Sequence, residues 1–236
     1  MVKNLSLLVY TNSKCKDLHE GYFSRIKKFF PSLKNIFATS DEPIEGINFI
    51  EYNNDSFHYE QMINALDLIP TDYVLYNQED YILFDYVLED KIKKYLEILE
   101  NDKNISFIRL IYSGVNDFEI KPYKDDLFYL NPNSFYFYST QATIWRKEDL
   151  KQMFLYSKVK QIFDEPENSF YLKSLNKKGL CSIEKGKKVG GHYNSLVYPY
   201  IATALVKGEW NYSEYQEELD DFFNEFKIKK ELRGER

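Results

Sequence analysis

Cysteine is scarce in this chain: there are two in 236 residues, Cys15 and Cys181, far apart and outside any CxxC spacing. That argues against a disulfide framework or a cysteine zinc site and fits a reducing compartment. Long apolar runs are missing as well. The N-terminal run Leu5–Tyr10 is too short for a signal peptide or a membrane span and reads as a buried strand. Basic charge is in the minority, with 31 Lys and Arg against 37 Asp and Glu and a net charge of −6. The basic clusters Arg25–Lys28 and Lys185–Lys188 are short, so no nucleic-acid surface is expected. Repeats, long linkers and low-complexity blocks are absent, and the whole of 1–236 is read as one domain.

Aromatic residues are plentiful, with 21 Tyr and 18 Phe. Tyrosine joins an apolar ring to a hydrogen-bonding tip, which suits cores and also sugar or base contacts. Apolar runs alternate with amphipathic segments through the first half. Leu5–Tyr10, Lys34–Ala38, Ile47–Tyr52 and Tyr73–Asn77 read as strands. Between them, His19–Phe30 and a segment from Asp55 or Ser56 to Ile69 carry helical spacing, closed by Pro31 and Pro70. This order predicts an α/β fold, a three-layer α/β/α sandwich with a mostly parallel central sheet. Ligands of such sheets bind beyond the carboxyl ends of the strands. That edge carries the polar loops at Thr11–Ser13, Ser40–Glu42, Asn53–Asp55 and Gln78–Asp80.

The second half is less regular. Leu88–Leu99 and Lys147–Tyr156 read as helices and Ile105–Tyr112 as a strand. Pro166 suits the first turn of a helix reaching Asn176 with Gly179 as its stop, and Ser213 with Gln216 forms a capping box before a last helix. The final residues from Lys230 are expected to fray.

The most informative stretch is Tyr73-Val-Leu-Tyr-Asn-Gln-Glu-Asp-Tyr-Ile-Leu-Phe84. A β-prone apolar run ends in two adjacent carboxylates, Glu79 and Asp80, and apolar residues resume at once. Carboxylates at the tip of a buried strand are costly to desolvate unless a cation or donor pairs with them. The pattern suits a divalent metal that in turn holds phosphate oxygens. Across the expected cleft, Glu165 and Glu167 flank Pro166 at a helix start, where the helix N-terminus lowers a carboxylate pKa and fixes its orientation.

Taken with its neighbours, Ser56–Tyr81 resembles the helix, strand and acidic motif of GT-A-type glycosyltransferases, in particular microbial and viral members of that group. Ser139–Leu150 is similar to their acceptor-side segment, with Gln141 and Trp145 before a helix; the acidic cluster Asp164–Glu167 and the tail element Val206–Trp210 follow in order. The pattern departs from the common Asp-x-Asp, since Tyr81 stands where the second Asp is expected.

The resemblance implies a GT-A-like fold, with 1–85 holding a nucleotide sugar and 86–236 holding the acceptor. It implies transfer from a UDP- or GDP-sugar to a hydroxyl of a glycan, glycoprotein or lipid-linked acceptor, assisted by Mn²⁺ or Mg²⁺ and inverting at the sugar carbon. Asp80 then contacts the metal, and His192 completes the site. Glu79 positions metal or donor, Lys187 meets phosphate, Thr11 and Asn12 meet the base edge, and Asp41 meets base or ribose. Glu167 or Glu165 is the base, and Gln141 and Trp145 line the acceptor site. Cytoplasmic placement in a microbe or a virus-infected cell is expected, and peripheral membrane association is compatible with it. Two other functions stay open: a catalytically silent domain that binds nucleotide or sugar, and a metal-dependent nucleotidyltransferase. The latter would use a Gly-rich phosphate loop, and Thr11–Asp17 contains no glycine.

Overall fold

The computed structural model describes residues 2–112, 118–162, 164–188 and 193–235, with the backbone alone for 118–120, 165 and 166. In chain order, β1 (Leu5–Tyr10) leads through a 3₁₀ turn at Ser13–Cys15 into α1 (Lys16–Phe29), followed by β2 (Asn35–Ser40), β3 (Asn48–Glu51), α2 (His58–Leu68), β4 (Tyr73–Gln78) and β5 (Ile82–Leu83). Next come α3 (Glu89–Asn101), β6 (Ile105–Arg109), β7 (Phe118–Lys124), β8 (Leu127–Leu130), β9 (Thr143–Arg146), α4 (Lys147–Ser157) and α5 (Glu165–Ser174). The chain finishes with β10 (Lys178–Ser182), β11 (Tyr200–Ile201), β12 (Leu205–Val206), β13 (Glu209–Trp210), α6 (Tyr212–Phe226) and a 3₁₀ turn at Lys230–Leu232.

Among the described residues the main sheet has nine strands in the order β3-β2-β1-β4-β9-β6-β10-β8-β7. β3, β2, β1 and β4 are mutually parallel. β9 runs antiparallel to both β4 and β6, so β6, and β10 parallel to it, point the same way as β4. The predicted mostly parallel α/β sandwich is therefore present, with β9 and β8 reversed within it.

Strand side chains alternate between the two faces with period 2. Leu5, Leu7 and Val9 of β1 join one core with residues of α1, α3 and α6. Leu8 joins the other core with residues of α2, α4 and α5. All four are fully buried, and each contributes roughly 1.5–3 kcal/mol relative to exposure. Three layers follow from this alternation, because a central strand apolar on both faces needs helices on both.

Several local expectations change. Gly179 does not stop a helix: α5 ends at Ser174, and Asn176 takes the positive φ of 51°. Gly179 instead lies in β10, where an added Cβ would fall 2.1 Å from the Phe107 ring, so the ring fills the space a side chain would need. The final helix starts at Tyr212 without a side-chain cap, and its backbone is non-helical at Tyr215 (φ −129°, ψ 35°), so the Ser213–Gln216 box does not form its start. The described C-terminal residues are tied to the body of the protein where fraying was expected. Trp210 N–H donates to the Gly234 carbonyl at 3.1 Å, and Arg233 pairs with Asp17. Among the described residues no helix is long and apolar enough to cross a membrane.

Candidate functional site

The parallel strands β1, β2 and β4 end side by side, and their loops form one edge of the molecule. At β4 the run Val74–Tyr76 is buried and is followed by a buried polar residue, Asn77. Its amide donates to the hydroxyls of Tyr22, at 3.1 Å, and Tyr198, at 2.7 Å. That pairing lets a polar side chain replace an apolar one at the top of the strand. The chain then reverses at once: Tyr81 N–H donates to the Gln78 carbonyl at 3.1 Å, which makes Glu79 and Asp80 the central residues of a four-residue turn. β5 resumes directly and pairs with β11, so buried backbone holds the turn on both sides.

Both carboxylates keep partial solvent access yet sit deep among protein atoms. Burial raises the pKa of Asp80 well above the usual carboxylate range, and the adjacent Glu79 charge adds to the rise. A backbone amide from Leu205 opposes it, and Ala204 N–H reaches the Asp80 carbonyl at 3.4 Å. Burial also raises Glu79, against hydrogen bonds from the Cys15 thiol and the Thr11 hydroxyl and the nearby charge of Arg233. The Cys15 thiol is itself pushed up by burial and by Glu79, so it remains a protonated donor.

Behind Glu79 lies a short chain of polar groups. Thr11 Oγ1 is 2.9 Å from Nε2 of His19. The hydroxyl has one proton, and with that proton directed at Glu79, His19 donates from Nε2 to Thr11. Burial lowers the His19 pKa, so the ring is held neutral. Arg233 closes the outer side: its Nε donates to Asp17 at 2.6 Å and its Nη2 donates to the Lys14 carbonyl at 2.9 Å. The C-terminal segment is thereby tied to the start of α1, beside Cys15 and Glu79.

The second acidic position of this edge is Asp41, just past β2. It accepts from the Ser13 amide at 2.7 Å and the Ser13 hydroxyl at 2.9 Å. Burial works to raise its pKa, but these bonds and one from Asn54 outweigh it, and the carboxylate stays ionised below the usual range. Near both Asp41 and Glu79, whose charges reach them, the rings of Tyr10 and Tyr52 stack with centroids 5.5 Å apart.

The expected site residues divide into several groups. Glu79, Asp80, Asp41 and Asn12 stand at this edge, with Asn12 capping the 3₁₀ turn through the Lys14 amide. Thr11 is at the edge but fully buried, and its carbonyl takes the Tyr52 hydroxyl at 2.8 Å. It supports Glu79 and has no surface for a base. Gln141 lies beside the acidic turn: its Oε1 accepts from Tyr200 at 2.7 Å, and neighbouring Thr140 accepts from the Tyr81 hydroxyl at 3.4 Å. Trp145 is not an acceptor-site residue. It is fully buried on β9, 4.3 Å from Phe107 and 5.7 Å from Tyr138 between ring centroids, because that β9 face is covered by α4.

Lys187 points to α6, with Nζ 3.4 Å from Glu218 and 5.5 Å from the Phe84 ring centroid. Glu167 is exposed in the first turn of α5, and no described contact ties it to Glu79 or Asp80. The side chain of Glu165, and all of His192, lie outside the described residues. Arg109, on β6, is buried and donates to the Tyr136 and Phe137 carbonyls. His19 on α1 and His58 on α2 are both buried.

Among the described residues there is no group of three or more His, Cys, Asp or Glu able to hold a metal. Glu79 and Asp80 present hard oxygen donors whose proton affinity is raised by burial, and for Asp80 also by the Glu79 charge, which fits a cation with one or two protein carboxylates and the remainder supplied by phosphate and water. A cavity of about 390 Å³ opens on the α1 flank between Lys16, His19 and the loop at Glu42–Glu45. It adjoins Ser13 without including the acidic turn.

By sequence, the chain matches no family model and no curated protein. By structure it is similar to 2-C-methyl-D-erythritol 4-phosphate cytidylyltransferase from Thermus thermophilus, with TM-score 0.50 and 11% identity over 94% of this chain and 98% of that one. Similarity to the bifunctional IspDF from Campylobacter jejuni has TM-score 0.46 and 16% identity over 83% of this chain, which spans 52% of that larger protein. Similarity to 4-diphosphocytidyl-2C-methyl-D-erythritol synthase from Anaerococcus prevotii has TM-score 0.43 and 14% identity over 96% of this chain and 98% of that one. At these identities the likeness shows the fold. The GT-A-like architecture stands, and the expectation of a glycosyltransferase is corrected: the similar protein from Thermus thermophilus is a cytidylyltransferase, and the sugar donor, the preference for manganese and the glycan acceptor have no support.

Proposed function

We propose that this protein is a nucleotidyltransferase. It binds a nucleoside triphosphate at the carboxyl edge of β1, β2 and β4 and transfers the nucleotidyl group to a phosphate-bearing acceptor. The observation that carries the proposal is the turn at Glu79 and Asp80, two carboxylates held by β4 and β5 with their charge only partly compensated. The full-length fold match to a cytidylyltransferase supports it.

In the reaction, an acceptor phosphate oxygen attacks the α-phosphorus of the triphosphate. The bond from that phosphorus to the bridging oxygen breaks, and pyrophosphate leaves. A divalent cation at Glu79 and Asp80 would neutralise charge on the phosphate oxygens. Thr11 and Cys15 orient Glu79 by donating to it, and the Leu205 amide orients Asp80. Lys14 in the 3₁₀ turn and Lys16 at the start of α1 are exposed, and with Arg233 they supply positive charge to this rim. Ionised Asp41 suits a ribose hydroxyl. A phosphate acceptor is already ionised near neutral pH, so no protein base is needed and neither Glu165 nor Glu167 is given a proton-transfer role. The nucleotide would occupy the half up to about residue 85 and the acceptor the half beyond it, near Gln141.

A second function, nucleotide binding without turnover, is favoured by one feature. The loop after β1 has no glycine, and both the amide and the hydroxyl of Ser13 are already taken by Asp41. Calorimetry with CTP, UTP, ATP and GTP, with and without Mg²⁺, combined with pyrophosphate–triphosphate exchange, separates the two. Mg²⁺-dependent binding of one triphosphate with exchange that Asp80→Asn abolishes supports transfer. Binding without exchange over a panel of sugar and polyol phosphates supports the second function. No binding of any triphosphate refutes both.

A further inference from the structure

A second cavity, of about 310 Å³, lies at the opposite edge of the sheet. Lys178 on its wall is the first residue of β10 and pairs with Ile105, the first residue of β6. Both strands run parallel to β4, so this wall stands at the end where the parallel strands begin, away from Glu79 and Asp80. Nothing in the proposed transfer uses it.

Its lining combines two chemistries. Lys121, Lys173, Lys177 and Lys178 stand around it, and Tyr129, Leu130 and Phe137 give it an apolar wall. No carboxylate is among its described lining residues, in a chain whose net charge is −6. Two of the lysines have protein partners. Lys173 donates to the Asn133 side chain, while Lys177 donates to the Lys103 carbonyl at 2.7 Å and stands 3.6 Å from Asp149. The other two share one ring: the ammonium groups of Lys121 and Lys178 lie 5.4 Å and 5.1 Å from the Tyr129 centroid. A ring quadrupole attracts each cation, by roughly 0.5–1 kcal/mol at an exposed site, but does not neutralise them. The carbonyls at the end of α5 draw lysines to this region too, which accounts for Lys173 but not for Lys121, which comes from β7.

We propose that this cavity is a binding site for a small phosphomonoester carried on a flat apolar body. Ammonium groups bind phosphate as point charges, and a dianion matches several of them at once. The wall of Tyr129, Leu130 and Phe137 takes the body of the ligand, and the volume is at the small end of ligand pockets, roughly 300–1,000 Å³. Inorganic phosphate alone would gain the charge contacts and lose the apolar ones.

Phenyl phosphate, inorganic phosphate and phenol are titrated by calorimetry into the full chain and into the double variant Lys121→Gln/Lys178→Gln. The expected result is that phenyl phosphate binds at least about tenfold more tightly than either fragment, about 1.4 kcal/mol, and that the double variant loses at least that factor. The Asp80→Asn variant should bind phenyl phosphate as the parent chain does, which separates this cavity from the acidic turn. If Lys121→Gln/Lys178→Gln does not fold, as judged by circular dichroism, Lys173→Gln/Lys177→Gln takes its place with the same expectation. No binding of phenyl phosphate to the parent chain, binding unchanged in the lysine variants, or loss of binding in Asp80→Asn overturns the proposal.

Discussion

His58 provides a direct test of the reasoning from burial. It begins α2 and is buried between Tyr10, at 4.8 Å between ring centroids, and Phe154, at 5.6 Å. Among the described residues neither ring nitrogen finds a hydrogen-bond partner. Burial therefore disfavours the imidazolium and lowers the pKa to about 4, with Asp164 pulling weakly the other way. In the unfolded chain the same group titrates near 6.5. The native state then binds fewer protons than the unfolded state as pH falls below that value, so stability is lost on acidification through the interval between the two pKa values. Between about pH 7.5 and about pH 5, this one group removes about 2 kcal/mol of stability. Urea unfolding of the parent chain and of His58→Phe at both pH values isolates the contribution, because every other titrating group is common to the pair. The loss on acidification should be smaller in the variant by about that amount. An equal loss in the two proteins, or a His58 ring titrating near 6.5 by NMR, would refute the burial argument.

Other perturbations probe the acidic turn and its surroundings. Because burial and Glu79 raise the pKa of Asp80, its ionised form opposes folding at neutral pH. Asp80→Asn should raise the melting temperature at about pH 7 while abolishing Mg²⁺-dependent nucleotide binding; a lowered melting temperature contradicts that electrostatic account. Gly179→Ala sets a methyl against the Phe107 ring and should cost at least about 1–3 kcal/mol in urea unfolding, whereas a neutral result would mean the ring moves freely aside. The Arg233 and Asp17 pair is partly exposed, so a double-mutant cycle with Arg233→Gln and Asp17→Asn should give a coupling of no more than about 1 kcal/mol. Arg233→Gln should nonetheless weaken triphosphate binding, by calorimetry, if its charge serves the rim; unchanged affinity removes it from that role.

The legible parts of this protein are those in which neighbours in sequence are also neighbours in space. The alternation of Leu5–Tyr10, the amphipathic segment at Met62, Ile63 and Leu66, and the apolar run at Tyr73–Tyr76 each report a local period, and all appear as expected in β1, α2 and β4. The acidic pair after β4 was visible for the same reason. Trp145 is not legible in this way, because an aromatic suits both a sugar face and a core, and only the packing of α4 over β9 decides between them. Lys187 carries a charge suited to phosphate, but α6 offers Glu218 first.

By itself, then, the sequence determined the succession of strands and helices through the first half, the placing of polar loops at the carboxyl edge and the adjacency of Glu79 and Asp80, since these depend on spacing along one segment. The tertiary structure alone decided what surrounds that pair. Arg233 is more than two hundred positions from Asp17 yet bonds to it, and Cys15, Thr11 and His19 become a donor chain only when β1 and β4 lie side by side. Pairing over such separations leaves no periodic trace, because the burial and hydrogen bonding that select it exist only after the chain has closed on itself.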